Sequence, residues 1–162
     1  MALSISLFAG EQADLLPILE PVIREGRTYP LAVNASHAEM LGYWFAPDKT
    51  VYAASDSAGR LVGTYYLKPN STGPAAHVAN AGYMVHPGAR RQGVARAMVL
   101  DSFAQGKAAG YLALQFNLVI ASNIGALTLW RDVGMAEVGR LRRAFRMPDG
   151  TYDDALVMYR EL

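Results

Sequence analysis

The apolar residues of the chain recur with spacings that predict seven strands and four helices. Alternating or continuous apolar runs, which are typical of strands, occupy residues 3–8, 51–55, 61–68, 77–86, 111–119, 136–146 and 152–160. Apolar residues three and four apart, which are typical of helices, occupy residues 10–24, 91–109 and 123–133. Pro17 and Pro21 are expected to split or kink the first helix. A fourth, short helix is expected after Ser36, because Glu39 follows it at the spacing of a capping box.

The order of these elements predicts one α/β (α+β) domain. The strands at 51–55 and 61–68 are joined by a turn that contains Gly59, which indicates an antiparallel hairpin. No internal repeat, low-complexity tract or linker interrupts the chain. We therefore expect residues 1–162 to form a single domain around a mixed, mostly antiparallel sheet of about seven strands, flanked by helices.

The composition limits the classes of molecule that the protein is expected to bind. The chain has 15 Lys and Arg against 14 Asp and Glu, so a broad nucleic-acid-binding or membrane-binding surface is not expected. It has no Cys, which excludes disulfides, thiolate metal sites and a cysteine nucleophile, and we expect no bound metal. The first residues, MALSISLFAGEQ, lack the basic segment of a signal peptide and reach Glu11 early, so we expect a cytoplasmic protein.

The stretch MVHPGARRQGVARAM, residues 84–98, places positive charge and small residues at the start of a helix. A helix start has about four backbone N–H groups without partners and the positive end of the helix dipole, which together bind phosphate. Gly93 lets the main chain come close to a ligand, and the arginines add charge. Neither the Gly-Lys-Ser/Thr of a P-loop nor the Gly-x-Gly-x-x-Gly of a dinucleotide site is present. The stretch predicts another kind of anion site, with a solvated arginine-bearing helix face as the alternative.

Two blocks of the sequence resemble a known family. Residues 90–95, RRQGVA, resemble the Arg/Gln-x-x-Gly-x-Gly/Ala signature of the GNAT superfamily of N-acetyltransferases. Residues 123–135, NIGALTLWRDVGM, resemble that superfamily's Asn-x-x-Ala-x-x-Leu-Tyr-x-x-x-Gly-Phe block. The blocks occur in the family's order, and the order of elements agrees over nearly the whole chain.

The resemblance implies that acetyl-coenzyme A (acetyl-CoA) is the acyl donor. Its pyrophosphate would bind at the helix start, to Arg90, Arg91, Gln92, Gly93, Val94, Ala95 and Arg96. Its pantetheine arm would lie in a gap splayed between the strands near 77–86 and 111–119. Backbone groups of Met84 and Val85 would pair with the arm and the thioester, and Asn123 would reach the pantetheine amides.

Two asparagines interrupt the strands that would flank this gap. Strands disfavour asparagine, and a buried amide needs hydrogen-bond partners. Asn80 and Asn117 are therefore predicted to be the catalytic side chains, which accept a hydrogen bond from the amine or hold a water. The alternative is that they satisfy backbone groups where strand pairing breaks. The same pair, followed by Asn123, resembles acetyltransferases of proline analogues such as azetidine-2-carboxylate, and phosphinothricin-type acetyltransferases are the close rival.

The other chemical roles have several candidates. Trp130 stands where the family usually has a tyrosine that protonates the leaving thiolate, and we expect it to pack rather than to act as the acid. The general base would be water or one of His77, His86, Glu25, Asp153 and Asp154. His77 is three residues from Asn80, an odd spacing that places the two side chains on opposite faces of a regular strand. A carboxylate on the substrate would be bound by an arginine, and the candidates are Arg24, Arg27, Arg140 and Arg143.

The sequence therefore predicts an N-acetyltransferase that transfers acetyl from acetyl-CoA to a small amine, an amino acid or a toxic analogue of one, by direct attack in a ternary complex. Two alternatives stay open. One is a non-catalytic acyl-CoA sensor, because Trp130 replaces the usual acid, and the other is a peptide or protein N-acetyltransferase. Dimers are common in the family, so a homodimer is a further expectation.

Overall fold

The computed structural model describes residues 2–162. Within this range the strands are β1 Ser4–Leu7, β2 Thr50–Ser55, β3 Leu61–Pro69, β4 Val78–Val85, β5 Ala113–Ile120, β6 Ala136–Arg146 and β7 Tyr152–Glu161. The α-helices are α1 Leu16–Glu25, α2 His37–Trp44, α3 Val94–Ala108 and α4 Ile124–Asp132. The predicted elements are confirmed in type and in order. None of these helices, in the part of the chain described, is long and apolar enough to cross a membrane.

The starts of α1 and α2 are each explained by a residue at the helix N-terminus. A 3-10 turn at Gln12–Leu15 precedes α1, and Pro17 lies in the first turn of α1, where its missing N–H leaves no helical hydrogen bond unmade. The start of α2 is the predicted capping box, in which Ser36 Oγ accepts from the Glu39 N–H and the Glu39 carboxylate accepts from the Ser36 N–H.

The strands form one sheet in the order β1-β2-β3-β4-β5-β7-β6. Neighbouring strands are antiparallel except for β4 and β5, which run parallel. A parallel connection needs a crossover, and α3 provides it.

Both faces of the sheet are covered by apolar packing. Tyr65 and Leu114 belong to a buried cluster that contains residues of α3 and α4, among them Met98. Tyr66, the next residue of β3, belongs to a second cluster, with Trp44 and other residues of α1 and α2. This alternation follows from the two-residue repeat of a strand, so consecutive residues of β3 contact opposite layers of helices.

The strands β4 and β5 separate soon after they begin. Among the described residues, backbone pairing between them is limited to Val78 with Ala113 and Ala79 with Leu114. At the next position a side-chain hydrogen bond takes the place of the backbone hydrogen bonds between the strands, because Asn80 Nδ2 donates to the Gln115 carbonyl at 2.9 Å. The other edge of β5 pairs with β7. The predicted splay is therefore confirmed, and it leaves a gap in the middle of the sheet.

Candidate active site

Two cavities follow the gap between β4 and β5. The larger has a volume of about 380 Å³ and is walled by residues 80–83 of β4, residues 116–120 of β5 and residues 28–30 of the segment before α2. The smaller, about 250 Å³, lies at the start of α3. Tyr83 and Trp130 line the larger cavity, and Val85 and Leu129 line the smaller one. A single extended ligand along β4 and α4 would therefore reach both.

The start of α3 presents free backbone amides to the smaller cavity. Arg91 and Gly93 have positive φ angles of 62° and 83°, and α3 begins only at Val94. The predicted start at residue 91 was wrong, because left-handed residues cannot belong to a right-handed helix. Gly93 has no side chain with which to cap the helix, whereas Ser36 caps α2. The first-turn N–H groups are thus left available to a ligand.

Most of the residues predicted to bind the pyrophosphate meet at this place. The smaller cavity is lined by Val85, Arg90, Arg91, Gly93, Val94, Ala95 and Arg96. Arg90 is ion-paired with Glu25 at 2.7 Å, which fixes its guanidinium beside the cavity. Gln92 and Met84 line neither cavity. Gln92 Nε2 donates to the Gly88 carbonyl, and the Met84 side chain is buried in the cluster under α1 and α2, so contact through Met84 would have to come from its backbone.

The predicted asparagines all line the larger cavity. Asn80 is 9% exposed. Its Nδ2 holds Gln115, and its Oδ1 has no hydrogen-bond partner within residues 2–162. Asn117 is exposed, donates to Asn70 at 2.7 Å and accepts from the Gln115 side chain at 2.9 Å. Asn123 caps α4 by accepting from a first-turn N–H at 3.2 Å. Asn80 thus bridges the strands where pairing breaks and also leaves an amide oxygen beside the cavity.

The titratable candidates for a general base lie elsewhere. Each is held by a local partner: His77 by Pro74, His86 by Gly88, Glu25 by Arg90, Asp153 by Ser122 and Asp154 by Arg140. His77 lies in the turn before β4, which begins at Val78, and does not line the larger cavity. No cluster of three or more His, Asp or Glu side chains in residues 2–162 is placed to hold a metal ion.

The cations at the larger cavity are lysines, which sequence reasoning missed. None of the four arginine candidates for a substrate carboxylate lines it. Arg24, for example, donates to backbone carbonyls beside α1, and Arg140 pairs with a carboxylate of β7. Two of the chain's three lysines, Lys49 and Lys68, do line it. Burial, and to a smaller extent the charge of Lys68, lowers the pKa of Lys49 to about 8.

An aromatic wall holds Lys49 in place. Its Nζ lies 3.6 Å from the ring centre of Tyr43 and 4.2 Å from that of Tyr66, which is the geometry of a cation–π contact. The Tyr66 ring packs on Trp44 with ring centres 4.9 Å apart. Gly82 lies opposite Tyr66 in the sheet, and a Cβ at Gly82 would meet the Tyr66 ring and hydroxyl at 2.7–2.8 Å. The position of Tyr66 therefore requires glycine at residue 82.

Replacing Gly82 with alanine is expected to destabilise the fold. The added methyl must displace Tyr66 from Trp44, and overpacking of this kind costs about 1–3 kcal/mol. Gly125→Ala is the matched control, because a Cβ at Gly125 in α4 meets nothing within 4 Å and alanine is the better helix former, by up to about 1 kcal/mol. Thermal unfolding checks both, and a Gly82→Ala protein as stable as the wild type would contradict the packing described here.

The comparisons with known proteins identify the family. Residues 20–135, which contain both the Arg-rich block and the Asn123 block, match the family model described as "Acetyltransferase (GNAT) family". The chain belongs to this family. The acetyltransferase is also 28% identical to N-acetyltransferase aca1 of Schizosaccharomyces pombe, in an alignment that covers 85% of this chain and 74% of that protein. The prediction of an N-acetyltransferase is confirmed.

Solved structures agree with the architecture of this acetyltransferase. A GCN5-related N-acetyltransferase from Kribbella flavida is 32% identical and superposes with a TM-score of 0.89, covering 99% of this chain and 98% of that one. A phosphinothricin acetyltransferase from Sinorhizobium meliloti, solved in complex with AcCoA, is 19% identical with a TM-score of 0.84, and the match covers 100% of this chain and 89% of that one. The predicted GNAT fold, with a mixed seven-stranded sheet flanked by helices, is confirmed.

Trp130 is packed between aromatic rings of both strands that flank the gap. Its ring centre is 4.9 Å from Phe116 and 5.4 Å from Tyr83. Since these contacts need an aromatic ring and no proton donor, Trp130→Phe in the acetyltransferase is expected to keep its turnover number within about threefold while losing about 1 kcal/mol of stability. Steady-state kinetics and thermal unfolding test this. A large fall in turnover without loss of stability would instead assign Trp130 a part in the chemistry.

Proposed function

We propose that this N-acetyltransferase takes its acetyl group from acetyl-CoA and transfers it to a small amine, an amino acid or an amino-acid analogue. The observation that carries the proposal is the pair of cavities along β4. One lies at the start of α3 and is lined by arginines, and the other is a larger cavity with polar and aromatic walls. The free amides of α3 and the arginines suit a pyrophosphate, and the unpaired edges of β4 and β5 suit the amides of an extended pantetheine arm. The Sinorhizobium meliloti relative of the same fold holds AcCoA.

The chemistry requires a neutral amine placed against the thioester carbonyl. The amine nitrogen bonds to the carbonyl carbon, the C–S bond breaks, and coenzyme A leaves as a thiolate of pKa about 8.5, which needs no strong acid. Asn80 Oδ1 would accept an N–H of the amine and direct its lone pair, with Asn117 on the opposite strand. Since the cavity lining includes no histidine or carboxylate within residues 2–162, we assign the amine's proton to water.

The size of the larger cavity favours a small acceptor over a peptide. A volume of about 380 Å³ is near the lower end for ligand sites, and residues 28–30 close one side of it. Azetidine-2-carboxylate-like and phosphinothricin-like acceptors are both within this class. The alternative of a non-catalytic sensor is set aside, because the chain belongs to an acetyltransferase family.

A screen for thiol release from acetyl-CoA tests the proposal. The panel would contain amino acids, simple amines, polyamines and short peptides, each with product mass measured. We expect at least one small amine to be acetylated well above the rate of hydrolysis. Acetylation confined to peptides would overturn the small-molecule proposal, and the absence of turnover with every amine would overturn the transferase proposal as a whole.

Two further expectations stay predictions for this protein, a homodimer and a cytoplasmic location. Sedimentation analysis of the purified chain tests the first, and fractionation of cells that produce it tests the second.

A further inference from the structure

We infer that Lys49 and Thr28 form a carboxylate-binding end of the larger cavity, so that the acceptor is an amine that also carries a carboxylate. This inference rests on the proposed function, because it concerns the acceptor side of the same site. It goes further by naming the groups that select the substrate.

The first observation is a half-buried ammonium that lacks an anion. Lys49 Nζ donates to the Tyr43 carbonyl and lies over two tyrosine rings. Among the described residues no carboxylate lies within ion-pair distance of it, since the neighbouring Asp48 pairs with Lys68 at 3.0 Å. An ammonium has three donors, and only one of these has an oxygen acceptor within residues 2–162. A ligand carboxylate would satisfy another in a charge-assisted hydrogen bond.

The second observation is the sign of the charge around the cavity. Lys49 and Lys68 line it, and no aspartate or glutamate of residues 2–162 does. Asp48 compensates the charge of Lys68 from outside the lining, so the charge of Lys49 is the uncompensated one. This environment disfavours acceptors that carry extra positive charge, such as polyamines, and favours those with an anionic group.

The third observation is an unpaired hydroxyl in the same cavity. Thr28 Oγ1 is buried and has no hydrogen-bond partner among the described residues, and Thr28 lines the cavity. Its neighbour Tyr29 donates to the Tyr83 carbonyl at 2.9 Å and packs edge-on against Tyr43, with ring centres 6.3 Å apart. The segment is thus fixed to β4 and to the ring that supports Lys49. A buried hydroxyl without a partner costs about 1–3 kcal/mol, and a ligand oxygen would remove that cost.

Lys68 lies too far from the smaller cavity to serve the pyrophosphate. Lys68 is paired in register with Asn80, and Asn80 is five residues from Val85, which lines the smaller cavity. At about 3.3 Å per residue of strand, the separation is roughly 16 Å. Lys68 therefore belongs to the acceptor end of the gap, and Lys49 lines the same larger cavity and not the smaller one.

Matched substrates and a matched lysine variant test the inference. Each amino acid of the panel, for example proline, is compared with its carboxamide, which keeps the amine and loses the charge. We expect wild-type kcat/KM to favour the acid. In Lys49→Met, we expect kcat/KM to fall roughly 10- to 100-fold for the acids and to stay unchanged for the carboxamides. Lys49→Arg should recover part of the loss. Lys107→Met, on the exposed C-terminal turn of α3, is the control and should change neither.

Thr28→Val gives a second test that does not alter charge. The substitution keeps the shape and removes the hydroxyl, so we expect a smaller loss, roughly 3- to 10-fold, again confined to the acids. If Lys49→Met does not fold, Thr28→Val still tests whether the cavity binds the substrate carboxylate, because it leaves the aromatic wall intact.

The pH dependence of the preference gives a third readout. The groups that face Lys49 are Lys68, Asp48 and the rings of Tyr43 and Tyr66. Hydrogen bonding to Lys68 keeps the pKa of Asp48 low, and burial keeps the pKa of Tyr66 high, so neither changes charge near neutral pH. The acid-to-carboxamide ratio of kcat/KM, expressed per neutral amine, should be highest below pH 8 and fall as Lys49 loses its proton above a pKa of about 8. The ratio should be flat with pH in Lys49→Met.

The outcomes separate the inference from the proposed function. Carboxamides used as well as acids by the wild type would overturn the inference alone, and so would equal losses for both substrates in Lys49→Met. Absence of turnover with every amine, in protein that binds acetyl-CoA by calorimetry, would overturn the proposed transfer and this inference with it.

Discussion

Replacing Gly93 with glutamate is expected to abolish the binding of acetyl-CoA. Gly93 precedes α3 with a φ of 83° and lines the smaller cavity beside the free amides of the first turn. A glutamate there would place its carboxylate on the amides that the pyrophosphate needs, and would repel the pyrophosphate's charge. We expect the dissociation constant, measured by isothermal titration calorimetry, to rise on the order of 100-fold or more, since several charge-assisted hydrogen bonds of about 1.5–3 kcal/mol each are lost together.

Gly110→Glu is a closely matched control for this variant. Gly110 follows the other end of α3, has a φ of 88°, and like Gly93 has no atom within 4 Å of an added Cβ. Both variants therefore carry a similar backbone strain of about 1–2 kcal/mol, and both should unfold at similarly lowered temperatures. Only Gly93→Glu should lose binding. If Gly93→Glu bound acetyl-CoA as tightly as Gly110→Glu, the assignment of the helix start to the pyrophosphate would be wrong.

The meeting of most of residues 90–96 at one helix start could be predicted from the sequence because their arrangement is local. Residues 90–96 are consecutive, and their role depends on one turn and one helix start, so spacing and residue type carry the information. The exact start of α3 was still missed. The φ of 62° at Arg91 is uncommon for a residue with a side chain, and nothing in a run of arginines indicates it.

The acceptor side could not be predicted in the same way because it is assembled from distant parts of the chain. Lys68 reaches the cavity through its register with Asn80, and Lys49 through cation–π contacts with Tyr43 and Tyr66. Registers and ring contacts of this kind have no signature in the spacing of residues. The arginines predicted to bind a substrate carboxylate therefore lie outside the lining of the larger cavity.

Replacing Asn80 with alanine is expected to reduce turnover far more than acetyl-CoA binding. The substitution removes the amide oxygen that lies free beside the larger cavity and the Nδ2 that holds Gln115 across the gap. Both losses act on the placement of the amine relative to the thioester, and misplacement by about 1 Å can cost roughly 100-fold in rate. We expect kcat to fall on the order of 100-fold. The dissociation constant of acetyl-CoA should change by less than about threefold, because the helix start lies at the other end of β4.

Stability measurements distinguish this role from a purely structural one. The Gln115 carbonyl loses its partner in Asn80→Ala, so unfolding should become easier by about 1–3 kcal/mol whether or not Asn80 takes part in the reaction. Asn117→Ala is the comparison from the opposite strand, since Asn117 is exposed and bonds to side chains only; its loss of stability should be smaller. An Asn80→Ala protein that is destabilised but turns over at the wild-type rate when folded would remove Asn80 from the mechanism. The role of Asn80 would then be limited to the hydrogen bond to Gln115 at the point where the pairing of β4 and β5 ends.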